Sequence, residues 1–287
     1  MKLINSYTEY IPQLPGVIGM YKHIERAMRN CYRSEDKITE DSYNRMLELA
    51  KKNHHYSVLE HGTVYLKIPR FKSTALDERI KFYLNNHWSR VYIHYIEDTY
   101  YAYITTNFRV IVENEKYVDL NYICEPEQYH EKRYTFKVVC SEAIARELNR
   151  HRIFSIAQQS TRYCNYSKGK FGNELTFIVP QWLYELEPTY NVAMLKDLAA
   201  KDTRVRTYLE ALASAEESYM QLTTGEPALK AQEARGVLPL DTATTVFYTA
   251  FKDDWYQVID LRSSEYAHPD VRVIVNTIKE TLDESID

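Results

Sequence analysis

The chain has 287 residues, of which 45% are hydrophobic, enough to bury a substantial core. Its 36 lysine and arginine residues and 40 aspartate and glutamate residues leave a net charge of −4. This acidic balance disfavours general binding to nucleic acid, which needs a basic surface, and no apolar run predicts a membrane span.

The cysteines, glycines and histidines narrow the class of protein further. The four cysteines form no C-x-x-C pair, which favours reduced thiols and predicts a cytoplasmic location. Only seven glycines occur, and neither G-x-G-x-x-G nor G-x-x-x-x-G-K is present, so both common glycine-rich nucleotide cradles are absent from the sequence. The histidines at 54–61 lack H-E-x-x-H spacing and a nearby cysteine, so we predict no metal site.

The first half of the chain mixes helical and strand patterns. Hydrophobic periodicity predicts helices over 16–34, 39–52 and 73–87. A β-rich stretch predicts a strand over 61–68, and two tyrosine-rich stretches, 90–96 and 99–106, predict a hairpin around Glu97 and Asp98. The next stretch, 108–117, fits either a strand or a helix.

The second half is mainly helical. A strand is predicted over 133–140, followed by a helix over 141–152 that Ser141 can cap. Further helices are predicted over 202–222, 241–263 and 269–283, with a short one within 226–240. Because no linker, repeat or low-complexity tract divides the chain, we predict one α+β domain over 1–287, rich in helix, around a small and mostly antiparallel sheet.

One stretch, ELNRHRIFSIAQQSTRY (147–163), concentrates three arginines in this acidic chain. The planar fork of arginine suits phosphate and carboxylate groups. Ser160, Thr161 and the backbone N–H groups near them would complete a phosphate site. A solvated charged face, or arginines paired with acids of a partner subunit, would explain the same residues.

Five segments resemble the flavin-dependent thymidylate synthase family, in the order in which the family has them. Arg150-His151-Arg152, seven further residues and then Ser160-Thr161-Arg162 resemble the signature of the family. The other four similar segments are ERAMRNCYRS (25–34), HHYSVLEH (54–61), ARGVLPLDT (234–242) and LRSSEYAHPDVR (261–272). Chance does not explain five matches in the same order.

The resemblance implies a homotetrameric enzyme that converts dUMP to dTMP, without nucleic acid or membrane partners. Methylenetetrahydrofolate would supply the carbon, NADPH the electrons, and FAD would carry the electrons between steps. Arg262 aligns with the family arginine at the pyrimidine edge, where a fixed cation favours the ionised ring, so Arg262 is the predicted catalytic residue. Active sites shared between subunits would let Ser57 reach the FAD of another subunit.

The same resemblance assigns the binding residues. Those predicted to bind dUMP, chiefly through its phosphate, are Glu147, Arg150, Gln158, Gln159, Ser160, Thr161, Arg162, Arg235 and Arg262. Those predicted to line the FAD site are His55, Ser57, Arg150, His151, Arg152, Gln158 and Gln257. Ser160 has no base beside it that the sequence identifies, so its predicted role is binding and not nucleophilic attack.

Two departures from the family pattern concern the FAD site. About sixty additional residues, roughly 69–131, separate the strand after the Glu-His pair from the strand before the arginine motif. The Asn-x-Arg pair that binds FAD in the family, about nine residues before the position of Arg262, is replaced by Phe251 and Asp253.

The insertion contains its own Thr-x-Asn-x-Arg pattern, within YITTNFRVIVEN (103–114). We therefore expect Asn107 and Arg109 to take over the missing flavin contacts. The alternative is that the insertion widens a subunit interface and that this pattern is an ordinary strand-to-helix turn.

Two further functions stay open on the sequence. A relative that binds a pyrimidine nucleotide but transfers a different one-carbon group would explain Phe251 and Asp253. A non-catalytic nucleotide-binding homologue is the other, although the presence of Arg262 favours an enzyme. Yellow colour that survives desalting after FAD is added would exclude a plain binding module.

Overall fold

The fold is described from a computed structural model, in residues 1–70, 78–97, 99–186 and 192–284. Helices account for about 51% and strands for about 21% of the structure. The predicted α+β class is confirmed, since the sheets are small and all but one strand pair is antiparallel.

The strands of the described residues form three sheets. They are β1 (Lys2–Ile4), β2 (Tyr7–Tyr10), β3 (Thr63–Arg70), β4 (Arg90–Ile96), β5 (Thr99–Asn107), β6 (Arg133–Ser141), β7 (Ser155–Gln158), β8 (Thr176–Ile178) and β9 (Ala243–Phe251). The central sheet has the order β2-β6-β9-β7, the insertion sheet has the order β3-β5-β4, and β1 pairs with β8 in parallel.

Most of the predicted helices are confirmed to within a few residues. The α-helices of the described residues are α1 (Gly16–Tyr32), α2 (Tyr43–Lys52), α3 (Glu78–Asn85), α4 (Phe108–Glu113), α5 (Glu142–Leu148), α6 (Gln181–Leu186), α7 (Val192–Lys201), α8 (Thr203–Thr224), α9 (Ala231–Ala234), α10 (Lys252–Arg262) and α11 (Pro269–Glu284). The first part of the helix predicted over 73–87, residues 73–77, lies outside the described residues. The helix predicted over 141–152 ends at Leu148, so the arginine motif begins in the turn that follows it.

The helix predicted over 241–263 is wrong in its first half. Residues 243–251 form β9, the strand that pairs with both β6 and β7, and the helix begins only at Lys252. The segment ATTVFYTAF consists largely of β-branched and aromatic residues, which favour a strand. Because both faces of β9 are buried, it lacks the alternation of polar and apolar residues that marks a half-exposed strand.

The central sheet is covered on both faces. One face packs against α5, α10 and α11 through a core that includes Phe136, Val246, Tyr248 and Trp255. The other face packs against α1 through Ala27, Ala157 and Phe247. Side chains at successive positions of β7 and β9 therefore face different neighbours, which separates the candidate functional residues into two groups.

The insertion sheet packs onto α1. The predicted hairpin is confirmed, with Ile96 paired to Thr99 and residue 98 of its turn outside the described residues. Leu66 and Ile104 on its inner face share one hydrophobic core with Met20 of α1. Because this core joins the insertion to α1, the insertion can position side chains at the end of that helix.

A buried polar chain crosses the interface between α1 and the central sheet. His23 Nε2 lies 2.9 Å from Thr135 Oγ1, the Thr135 and Thr249 hydroxyls are 2.7 Å apart, and His61 Nδ1 lies 2.8 Å from Thr249 Oγ1. Burial, with help from Arg26 and Arg133, lowers the pKa of His23 to about 3. Burial, with help from His23 and Arg133, lowers the pKa of His61 well below its usual value of 6.5.

The lowered pKa values of His23 and His61 predict that the fold loses stability in mild acid. Their pKa values are lower in the folded chain than in the unfolded chain, so the unfolded state takes up protons first as the pH falls below 6.5. Between about pH 7.5 and about pH 5.5, the free energy of unfolding should fall by about 1.4 kcal/mol for each histidine. Urea unfolding of the wild type and of His23→Gln at both pH values measures this free energy of unfolding. Between the two pH values it should fall by about 1.4 kcal/mol less in His23→Gln than in the wild type. Exposed His87 supplies the control, and a His23→Gln variant with the same pH dependence as His87→Gln would contradict the prediction.

Candidate functional site

The arginine motif sits between the end of α5 and the start of β7. Ser141 caps α5 by accepting a hydrogen bond from the Ile144 N–H at 3.3 Å, as predicted. After Leu148 the chain turns, and the His151 N–H donates to the Leu148 carbonyl at 3.0 Å. The side chains of Arg150 and Arg152 are exposed in this turn. They are therefore available to an anionic ligand.

Arg262, the last residue of α10, contacts this motif. Its Nε donates to His151 Nε2 at 2.9 Å, and its two terminal nitrogens donate to the Glu147 carboxylate at 3.2 Å and to the Glu147 carbonyl at 3.3 Å. Burial and the Arg262 charge lower the pKa of His151. His151 is thus a neutral acceptor, and three contacts orient the guanidinium of Arg262.

Gln158 lies next to this cluster at the end of β7, held by polar side chains. Asn149 Nδ2 donates to Gln158 Oε1 at 3.0 Å, and Asn149 Oδ1 accepts from the Tyr248 hydroxyl at 2.8 Å. Gln158 Nε2 donates to the Glu142 carboxylate at 3.1 Å and to Thr244 Oγ1 at 3.3 Å. Burial raises the pKa of Glu142. The sequence does not identify Asn149 or Glu142 as site residues. Both orient the side chain of Gln158.

The turn after β7 carries the second group of predicted phosphate contacts. Arg235, just after α9, donates from Nη1 to Thr161 Oγ1 at 3.2 Å, and the Arg162 N–H donates to Ser160 Oγ at 3.3 Å. Within the described residues, no carboxylate lies at ion-pair distance from Arg150, Arg162 or Arg235. Their charges are available for an anion, and all three side chains are exposed.

Gln159 is directed away from these residues. Its side chain is 5% exposed and lies on the face of the central sheet opposite to that of Gln158. Gln159 Oε1 accepts from Arg33 Nη1 at 3.1 Å, and Gln159 Nε2 donates to the Tyr166 hydroxyl at 3.0 Å. Both polar ends of this side chain are therefore occupied within the subunit.

The remaining predicted flavin residues meet in a second place. His55, Ser57 and Arg109 line one cavity of about 440 Å³, together with the rings of Tyr32 and Tyr56. Gln257 lies exposed on α10, five residues before Arg262. Within the described residues, no hydrogen bond or ion pair joins the cavity of Ser57 to the cluster of Arg262. One subunit thus holds the predicted flavin residues in two separate groups.

Arg109 enters this cavity from α4 and is held by two carboxylates. Its Nη1 donates to Glu60 Oε1 at 2.6 Å and its Nε donates to Glu113 Oε1 at 2.9 Å. Asn107 is 1% exposed and caps α4, with its Oδ1 accepting from the Val110 N–H at 3.1 Å. Arg109 is therefore oriented toward the cavity, whereas Asn107 has a structural role at the start of the helix. The sequence places Glu60 in the Glu-His pair but does not indicate Arg109 as its partner.

The described residues offer neither a metal cluster nor a membrane-spanning helix. No group of three or more histidine, cysteine, aspartate or glutamate side chains in them is placed to hold a metal ion. No helix among them has the length and apolar character needed to cross a membrane.

Comparison with known proteins agrees with this geometry. The family model described as thymidylate synthase complementing protein matches residues 128–286, more than half of the chain. The flavin-dependent thymidylate synthase of Mycobacterium avium (strain 104) is 32% identical over 134 residues, which are 46% of this chain and 50% of that relative. The similarity to this curated relative thus spans about half of its length. The matched region contains the arginine motif, Arg235 and Arg262, and the chain belongs to the thymidylate synthase complementing protein family.

Proposed function

We propose that the chain is a flavin-dependent thymidylate synthase, a methyltransferase that converts dUMP to dTMP. Methylenetetrahydrofolate would donate the carbon and NADPH the electrons, with FAD as the cofactor. The observation that carries this proposal is the placement of Arg262, which three contacts to His151 and Glu147 hold beside the arginine motif.

Arg262 would promote the reaction by stabilising charge on the pyrimidine. Methylation at C5 of uracil needs an electron-rich ring, and a fixed guanidinium at the ring edge favours the ionised form. His151, neutral and accepting from Arg262 Nε, would position the cation without cancelling its charge. Glu147 would hold the other end of the guanidinium, leaving the remaining N–H groups of Arg262 for the ring.

The phosphate of dUMP would bind to the exposed arginines around the turn after β7. Arg162 and Arg235 lack carboxylate partners among the described residues, and Ser160 and Thr161 add hydroxyl groups beside them. Arg150, exposed in the neighbouring turn, would supply a third cation. Gln158, oriented by Asn149 and Glu142, would contact the nucleotide between the phosphate and the ring.

The cavity of His55 and Ser57 fits part of FAD. It offers an imidazole, a hydroxyl and a guanidinium for phosphate oxygens, and two tyrosine rings for a flat group. Glu60 and Glu113 offset the charge of Arg109, so Arg109 would act there as an oriented hydrogen-bond donor. When bound, FAD supplies the transfer of electrons, and the protein residues hold and orient it.

The two groups of flavin residues support a homotetramer with shared active sites. The cavity contains only His55, Ser57 and Arg109 of the predicted flavin residues, and Arg150, His151, Arg152 and Gln257 lie elsewhere in the same subunit. An interface that brings the cavity of one subunit to the arginine motif of another would complete the site. The four free cysteines support a cytoplasmic location.

The presence of Phe251 supports a second candidate function, transfer of a different one-carbon group to a pyrimidine nucleotide. Phe251 is buried, with the guanidinium carbons of Arg90 and Arg133 at 4.9 and 5.6 Å from its ring centroid. It therefore has a packing role where the family has a flavin contact. A non-catalytic nucleotide-binding homologue would share this feature.

Product analysis separates these functions. We would incubate the protein with dUMP, methylenetetrahydrofolate, NADPH and FAD and identify the nucleotides by mass spectrometry. FAD-dependent formation of dTMP is the expected result. A product of another mass would favour the second function, and bound but unchanged dUMP would favour the non-catalytic homologue.

A further inference from the structure

A basic groove lies on the face of the central sheet opposite to Gln158. It consists of two adjoining cavities of about 400 and 390 Å³ that share Tyr7, Arg33 and Thr245. Thr245 precedes Val246, which faces the core on the other side of the sheet. The sheet therefore separates the groove from Gln158.

Arg33 is fixed in this groove by neutral partners. It follows α1 in a left-handed conformation, with φ of 48°. Its Nη1 donates to Gln159 Oε1 at 3.1 Å and to Thr245 Oγ1 at 3.4 Å, and buried Gln159 is held in turn by the Tyr166 hydroxyl. Since none of these partners is charged, the guanidinium is oriented while its charge stays available.

A second arginine reinforces this charge. Arg26 lines the same cavity as Arg33, and neither forms an ion pair with a carboxylate of the described residues. Two other basic residues of the groove are compensated, Lys137 by Glu9 at 3.0 Å and Lys170 by Asp36 at 3.7 Å. Exposed Glu35 at the rim opposes only part of the charge of the two arginines. A chain of net charge −4 thus keeps two uncompensated arginines in one concave surface.

Aromatic surface adjoins the arginines. Tyr7 is 48% exposed and lines both cavities. Phe171 lines the cavity of about 400 Å³. Such rings offer a flat surface on which a nucleotide base can stack. The combination of free guanidinium groups with an exposed ring suits a ligand that has both phosphate and a heterocycle.

We propose that this basic groove binds a nucleoside phosphate, with the phosphate groups on Arg26 and Arg33 and the base against Tyr7. The site is distinct from the one proposed for dUMP. It does not depend on the proposed enzymatic function.

Binding of ADP and of pyrophosphate, measured by isothermal titration calorimetry, tests this site. Arg33→Gln and Arg26→Gln should each weaken ADP binding at the groove about tenfold or more. Tyr7→Ala should weaken ADP binding while leaving pyrophosphate binding unchanged, because pyrophosphate has no ring to stack. The Arg26 side chain forms no hydrogen bond or ion pair with the described residues, so Arg26→Gln tests the charge without removing such a bond from the fold.

Two control variants separate the groove from other sites. Arg45→Gln removes an exposed arginine of α2 and should change nothing. Arg162→Gln removes a predicted phosphate contact of the candidate active site and should leave ADP binding at the groove intact. Loss of ADP binding in Arg162→Gln but not in Arg26→Gln or Arg33→Gln would overturn the proposal. Equal affinity for ADP and pyrophosphate, unchanged by Tyr7→Ala, would overturn the assignment of a nucleotide. Neither readout requires dTMP to be formed.

Discussion

Replacement of Arg262 by lysine is expected to lower kcat for dTMP formation roughly 100-fold, with a much smaller change in KM for dUMP. Arg262 is held by His151 at 2.9 Å and by Glu147 at 3.2 and 3.3 Å. A lysine ammonium keeps the charge, but one point charge cannot contact these groups and two adjacent ring atoms together. Because charge on the pyrimidine increases in the transition state, the loss should appear mainly in kcat.

Steady-state kinetics with dUMP as the varied substrate measures both parameters, and calorimetry measures dUMP binding separately. Arg45→Lys is the matched control, because Arg45 is an exposed arginine of α2 far in sequence from the motif. An Arg262→Lys enzyme with wild-type kcat would show that the guanidinium geometry is not needed for the reaction. A rise in KM alone would assign Arg262 to substrate binding.

The second large effect is expected in the flavin cavity. Replacement of Arg109 by glutamine should weaken FAD binding about tenfold or more, because it removes an oriented charged donor beside His55 and Ser57. It should also destabilise the fold, since it leaves the Glu60 carboxylate without its 2.6 Å partner while the Glu60 side chain is only 9% exposed.

These two consequences of Arg109→Gln can be separated by a double-mutant cycle. Glu60→Gln/Arg109→Gln removes the unpaired charge and should recover much of the stability, but it should not recover FAD affinity. FAD binding is followed by flavin fluorescence and stability by urea unfolding, with Arg45→Gln as the control. Full FAD affinity in Arg109→Gln would contradict the hypothesis that the insertion supplies the missing flavin contact.

Asn107 needs a different substitution. Its side chain caps α4, so Asn107→Ala would remove the cap and cost about 1 kcal/mol of stability, whatever its role toward flavin. Asn107→Asp keeps the cap and changes the group that a ligand would meet. If substitution of Arg109 weakens FAD binding and Asn107→Asp does not, then only Arg109 takes over a flavin contact. Asn107 then has only its structural role as the cap of α4.

The errors of the sequence reading have a local cause. The sequence predicts a helix over 241–263, although 243–251 is the strand between β6 and β7. A strand buried on both faces shows no alternation, so only its β-branched and aromatic composition distinguished it from a buried helix. The short strands β1, β2, β7 and β8 were missed because three or four residues carry too little pattern.

The sequence alone is sufficient to assign the family, the α+β class, most helices and the long strands other than β9. These depend on residue type and on spacing within one element, which are properties of neighbouring positions. It also identified Arg262, the arginine motif and the Asn-x-Arg pattern of the insertion, because their chemistry is specific to a few residue types.

Which side chains act together depends on the tertiary structure. The bond between Arg262 and His151 spans 111 positions, and the bond between Arg109 and Glu60 spans 49. The opposite directions of Gln158 and Gln159, and the neutral partners of Arg33, follow from the pairing of β7 with β9 and its packing on α1. Such contacts depend on how whole sheets and helices pack, a long-range property that no local pattern contains.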